Sequence, residues 1–155
     1  MAASRITRVV LALAVLGAAA QFIRPARTNP PVDQAQTIEA VAQVPAPLAP
    51  VLRRSCYDCH SNETRWPWYS AVVPMAWGVA NHVGEGRAAM NLSEWGRYPV
   101  RKQTALLEKL CDQVREGQMP LGSYLLLHRD ARLAESEWKA VCDWSMDEAD
   151  RLGNR

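Results

Sequence analysis

The run Cys56-Tyr57-Asp58-Cys59-His60 constrains this chain more than any other feature. Two thiols separated by two residues and followed at once by histidine are the attachment signal for c-type haem. Each thiol adds across one haem vinyl group, and the neighbouring histidine falls under the iron, where an imidazole nitrogen can ligate it. A fold built on this motif must leave an apolar cavity beside it for a porphyrin. Two other uses of paired cysteines fit less well. A thioredoxin-like site places its cysteines at a helix start after a strand, in a βαβ setting that this sequence lacks. A structural zinc site needs four ligands, commonly two spaced pairs, and no second pair follows.

The 155 residues suffice for one domain with one core. Arg5 and Arg8 precede an uncharged run from Val9 to Ile23, and Ala18-Ala19-Ala20 offers a small-residue cleavage site. Residues 1–23 are therefore expected to be a signal peptide or a membrane anchor, although fifteen uncharged residues are short for a span of roughly twenty. Export agrees with the motif, because c-type haem is attached outside the cytoplasmic membrane. Removing Arg5 and Arg8 with the first twenty residues leaves 16 basic and 16 acidic residues, scattered, with no nucleic-acid surface indicated.

Residues 24–46 hold Pro25, Pro30, Pro31 and Pro45 and read as a Pro-rich linker, with a short helical segment near Thr37–Ala42. A domain over 47–155 follows. Pro50 suits the first turn of a helix leading to Cys56. A second helix from Pro74 to about Gly84–Gly86 has Ala76, Trp77, Ala80 and Val83 at helical spacing. A third, from about Val100 to Glu116, carries Leu106, Leu107, Leu110, Cys111 and Val114 on one stripe, with Gly117 as its cap. The last runs from about Ser136 to Asp150, with Trp138, Val141, Cys142 and Ser145 on one face. No segment alternates with the period of a strand. The expected class is all-α.

Cys111 and Cys142 lie on the apolar stripes of two helices. If the stripes face each other the thiols come within bridging distance, and an oxidising compartment would keep the bond; otherwise both are buried free thiols. A sixth iron ligand is needed if the protein only carries electrons. Candidates are Met75, Met90, Met119, Met146, His82 and His128. Met119 is favoured. It follows a helix, precedes Pro120, and a proline-stiffened loop helps hold a thioether in place. His128 and His82 are its rivals. Arg65 and Tyr69, near the motif in sequence, are candidate contacts for the haem propionates.

The stretches Gln21-Phe22-Ile23-Arg24-Pro25, Thr28-Asn29-Pro30, Ser55 to Asn62 and Trp66-Pro67-Trp68-Tyr69 together resemble the bacterial haem-binding-domain family. Gly86-Arg87, Asn91 to Trp95, Met119-Pro120-Leu121, Tyr124 and His128 also look like family positions. The family's members are small cytochrome c-like proteins, exported or anchored, with one Cys-x-x-Cys-His. The resemblance implies haem attachment at Cys56 and Cys59 and proximal ligation by His60. It makes Met119 attractive as the distal ligand.

The expectation is thus a cytochrome c-like helical domain with one haem c, acting as a one-electron carrier with no catalytic residues. It would sit in the periplasm, or be held to the cytoplasmic membrane by its N-terminus, and exchange electrons with redox partner proteins. A haem-based redox or small-ligand sensor, or a peroxidase, would need an open or easily displaced sixth position.

Overall fold

The computed structural model describes residues 2–154. Eight α-helices occur among them, and no strand. They are α1 (Ala2–Ala20), α2 (Ile38–Val41), α3 (Leu48–Ser55), α4 (Tyr57–His60), α5 (Met75–Ala89), α6 (Val100–Arg115), α7 (Gly122–Leu125) and α8 (Glu135–Gly153). Short 3-10 turns cover Gln34–Gln36, Trp68–Ala71, Leu92–Arg97 and Arg129–Ala131. The all-α expectation holds.

The scaffold is the packed pair α6 and α8. Leu107, Leu110 and Val114 from α6 and Val141, Trp144 and Leu152 from α8 are buried in one core, joined by Leu52, Leu92 and Trp95. Each such side chain contributes about 1.5–3 kcal/mol on leaving water. Cys111 and Cys142 face each other within this seam and form a disulfide, with Cα atoms 4.4 Å apart. Reducing it, or replacing both residues with alanine, is expected to lower stability by about 3–4 kcal/mol for a closed loop of this length. Denaturant titration with and without reductant measures the difference.

The helix ends have local causes. At the C-terminus of α6, Gly117 has φ 68°, a conformation glycine adopts without penalty. Its N–H bonds the Val114 carbonyl and that of Gln118 bonds the Gln113 carbonyl, the paired pattern of a Schellman cap. At the start of α8, Ala134 offers no side-chain acceptor, yet Glu137 reaches back to the Ala134 N–H at 2.8 Å. The same carboxylate pairs with Arg54 of α3 at 2.9 Å, so one residue starts α8 and ties it to the helix before Cys56.

Residues 24–33 form no helix, in keeping with their prolines, but the stretch 24–46 is not a free spacer. Ile38 is fully buried in the core, and Thr37 and Ala42 are buried beside it. Gly96 permits this: a Cβ there would lie 2.4 Å from the Gln36 side-chain oxygen. Packing therefore begins well before residue 47.

Helix α1 stands apart. Ile6, Val9, Leu13 and Leu16 are exposed. Among the described residues no helix is long and apolar enough to cross a membrane.

Candidate functional site

Helix α3 ends at Ser55 and a new turn, α4, begins at once, so the motif Cys56 to His60 sits on its own short helix. Ser61 closes it: its hydroxyl donates to the Tyr57 carbonyl at 2.8 Å and accepts the Glu63 N–H at 2.9 Å. This turn lies against α5 at Gly86. A Cβ on Gly86 would meet the Cys59 carbonyl oxygen at 2.5 Å, so only glycine lets the two backbones approach this closely. Gly86→Ala should push α4 off α5 and cost roughly 1–3 kcal/mol, the usual penalty for overpacking. Denaturant titration reads the loss, and the haem content of the purified variant reads the displaced motif.

His60 is oriented by the end of α5. Met90 leaves the helix in extended conformation, its carbonyl is outside the helical ladder, and His60 Nδ1–H donates to it at 3.1 Å. That bond fixes the tautomer and leaves the Nε2 lone pair for a metal, the usual arrangement of a ligating histidine. Burial holds the imidazole below its ordinary pKa, toward the neutral form that ligates.

The motif opens into a cavity of about 650 Å³ between α4, α5, α6 and the segment after α6. Its wall is mostly apolar, with Val79, Val83, Leu106, Leu110, Val114 and Leu133. Cys56, Cys59 and His60 share this cavity with Met119. The Met119 N–H bonds the Gln113 carbonyl at 3.1 Å, so the α6 cap also fixes the methionine loop.

The other candidates are distributed around the same space. Met75, Met90, His82 and His128 line it as well, whereas Met146 lies on α8 and does not. His82 is exposed on α5. His128 stacks on Tyr124, ring centroids 4.0 Å apart, and its Nδ1–H donates to the Tyr124 carbonyl at 3.2 Å. Tyr69 Oη lies 3.4 Å from that nitrogen.

Arg65 has a partner already. Its Nε and Nη2 hold the two oxygens of Asp58 at 3.1 and 3.2 Å, and its backbone N–H adds a third bond. Tyr124 donates to Asp58 at 2.8 Å. Asp58, inside the motif, thus ties α4 to the segment that follows Met119. Burial and then this bond push the Tyr124 phenol well above its ordinary range.

The thiols behave unlike a redox pair. Burial pushes Cys56 up to about 12 and Cys59 up to about 11. Thiol–disulfide enzymes do the opposite, keeping a thiolate at neutral pH. Among the described residues no group of three or more His, Cys, Asp and Glu is arranged to cage a metal ion. The donor set fits haem instead. Two thiols, an oriented imidazole and a thioether line one apolar cavity, and the buried Ser55 hydroxyl on its wall has no hydrogen-bond partner.

A family model described as a haem-binding domain matches residues 15–147. The chain belongs to the haem-binding-domain family. Neither the curated proteins nor the solved structures contain a significant match. The matched span starts within α1 and includes residues 24–46, in agreement with their packing.

The haem-binding domain also uses residues to which sequence reasoning gave no role. Arg87 bonds the Ser61 carbonyl at 2.8 Å, Thr64 Oγ1 at 2.9 Å, and the Thr28 carbonyl and Asn29 side chain at 3.0 Å each. One guanidinium therefore clamps the N-terminal strap onto the loop after the motif. Asn91 donates to Asn62 at 2.9 Å, and Ser93 accepts the Asn62 N–H at 3.0 Å. These bonds hold the Met90 segment, and with it the acceptor for His60. Nothing short of the fold signals such contacts, since two of the four Arg87 bonds end on backbone carbonyls and the partners lie far apart in sequence.

Proposed function

We propose that this haem-binding domain is a monohaem c-type cytochrome serving as a one-electron carrier. Cys56 and Cys59 hold the haem through thioethers, His60 is the proximal ligand and Met119 the distal one. The observation that carries the reading is the convergence of these four side chains on one apolar cavity, with His60 already oriented through Met90. When bound, haem c supplies a one-electron couple, and a methionine ligand favours a higher potential than a second histidine.

The chain's own contribution is positional. Leu106, Leu110, Val79 and Val83 exclude water from the site. The Met90 carbonyl keeps His60 in one tautomer, and the cap at Gly117 keeps the Met119 loop from drifting. Arg65 and Tyr69, on the cavity wall, are the groups we assign to the propionates, with Arg65 shared between that role and Asp58. Export by the N-terminal segment places the domain in the periplasm, free or held at the cytoplasmic membrane, where redox proteins meet it.

Carbon monoxide binding to the reduced protein tests the carrier reading. With both axial positions filled from the chain, binding is slow and incomplete. Rapid stoichiometric binding supports a ligand sensor instead. Peroxide turnover that disappears in His82→Ala or His128→Ala supports a peroxidase.

A further inference from the structure

Four hydrogen bonds fix the exit of α1 on the domain. The Gln21 amide bonds Val73 on both sides, accepting its N–H at 3.0 Å and donating to its carbonyl at 3.2 Å. Arg24 donates to the Ala71 carbonyl at 2.8 Å. Trp77 Nε1–H donates to the Ile23 carbonyl at 2.8 Å. This last bond explains why Trp77, expected on the apolar face of its helix, lies 45% exposed instead. Polar groups in this joint are satisfied, yet its outer face is apolar. Phe22 is 90% and Ile23 72% exposed, and Val72 and Met75 are exposed beside them. The joint continues directly into α1, whose apolar residues are exposed on all sides, a pattern that in a stable protein is covered by protein or lipid.

Charge selects between those covers. The first 32 residues contain Arg5, Arg8, Arg24 and Arg27 and no acidic residue, the first acid being Asp33. Arg24 and Arg27 flank the collar on exposed chain. An apolar helix and collar between arginines complement an anionic phospholipid surface, with Phe22 and Trp77 at the depth where aromatic rings prefer to lie. We propose that the collar of Phe22, Ile23, Val72, Met75 and Trp77 docks on an anionic lipid bilayer beside the point where α1 enters it. Because Pro74 and Met75 also line the haem cavity, this docking turns one wall of the cavity toward the membrane. The proposal rests on the reading of the N-terminus as a retained membrane element.

The haem-loaded full chain, mixed with phosphatidylethanolamine–phosphatidylglycerol vesicles carrying a photoactivatable phospholipid, tests it. Lipid cross-links are expected on the peptides containing Phe22–Ile23 and Val72–Trp77 as well as on α1. Phe22→Ser combined with Val72→Ser, checked for an unchanged haem spectrum, should weaken vesicle partition by roughly a hundredfold, the effect of withdrawing two apolar side chains from lipid. Cross-links confined to α1 would overturn the docking while leaving the anchor intact. Absence of vesicle binding would overturn the anchor itself, and the docking with it. Equal binding to pure phosphatidylcholine vesicles would overturn the role given to the arginines.

Discussion

Cys56→Ala combined with Cys59→Ala should abolish retention of haem in denatured protein, while the unmodified chain keeps all of it through acid–acetone extraction. The effect is all-or-none because thioethers survive unfolding and coordination does not. The double variant should still fold, since neither thiol has a hydrogen bond or disulfide in the structure and each cysteine borders the cavity. It should also still bind free haem weakly, through His60 held by Met90. His60→Ala is the complementary case: haem stays attached, but the proximal donor is gone. The two variants separate attachment from ligation, which the motif combines in five residues. If denatured unmodified protein releases its haem, the thioether assignment fails, whatever the native spectrum shows.

Met119→Ala should remove the long-wavelength ferric absorption band characteristic of methionine–iron bonding, and lower the potential by on the order of 0.1–0.3 V. That is a fraction of the ~0.8 V range over which axial ligands set haem potentials. Carbon monoxide binding should become fast in the same variant, because the sixth position is opened. Two features argue for this residue over its rivals. Its loop is held by the Schellman cap of α6, so the thioether is presented by a fixed backbone. His82 is exposed on α5, and His128 is stacked on Tyr124. His128 nevertheless lines the same cavity, and its engaged Nδ1 also leaves Nε2 for coordination. Loss of the band in His128→Ala, with the band intact in Met119→Ala, would transfer the distal role to His128.

The parts of the fold that sequence makes legible are those with a period or a fixed spacing. The stripes of α6 and α8 place Leu107, Leu110, Val114 and Val141 in the core, and they bring Cys111 against Cys142. Gly117 marks the end of α6 by its positive φ. Residues 24–46 were harder, because proline-rich composition describes backbone conformation and says nothing of what the backbone leans on. Ile38 enters the core from a helix of four residues, too short to show a stripe. The clamp at Arg87 is illegible for a related reason. Its partners are 23 to 59 residues away in the chain, and two of them are backbone carbonyls, which every residue has. Trp77 shows the opposite failure: helical spacing put it with the core residues, whereas its indole N–H is used to hold the segment leaving α1.

The proposed thioether bonds from Cys56 and Cys59 to one haem would survive proteolysis. Trypsin should release the peptide from Ser55 to Arg65, which contains both cysteines and His60 and ends before Trp66. Mass spectrometry of that peptide from protein made with the haem-attachment machinery is the most direct measurement. A single species heavier by one intact haem is expected, with neither thiol open to alkylation. A peptide of unmodified mass, or one carrying two alkylated thiols, would contradict it.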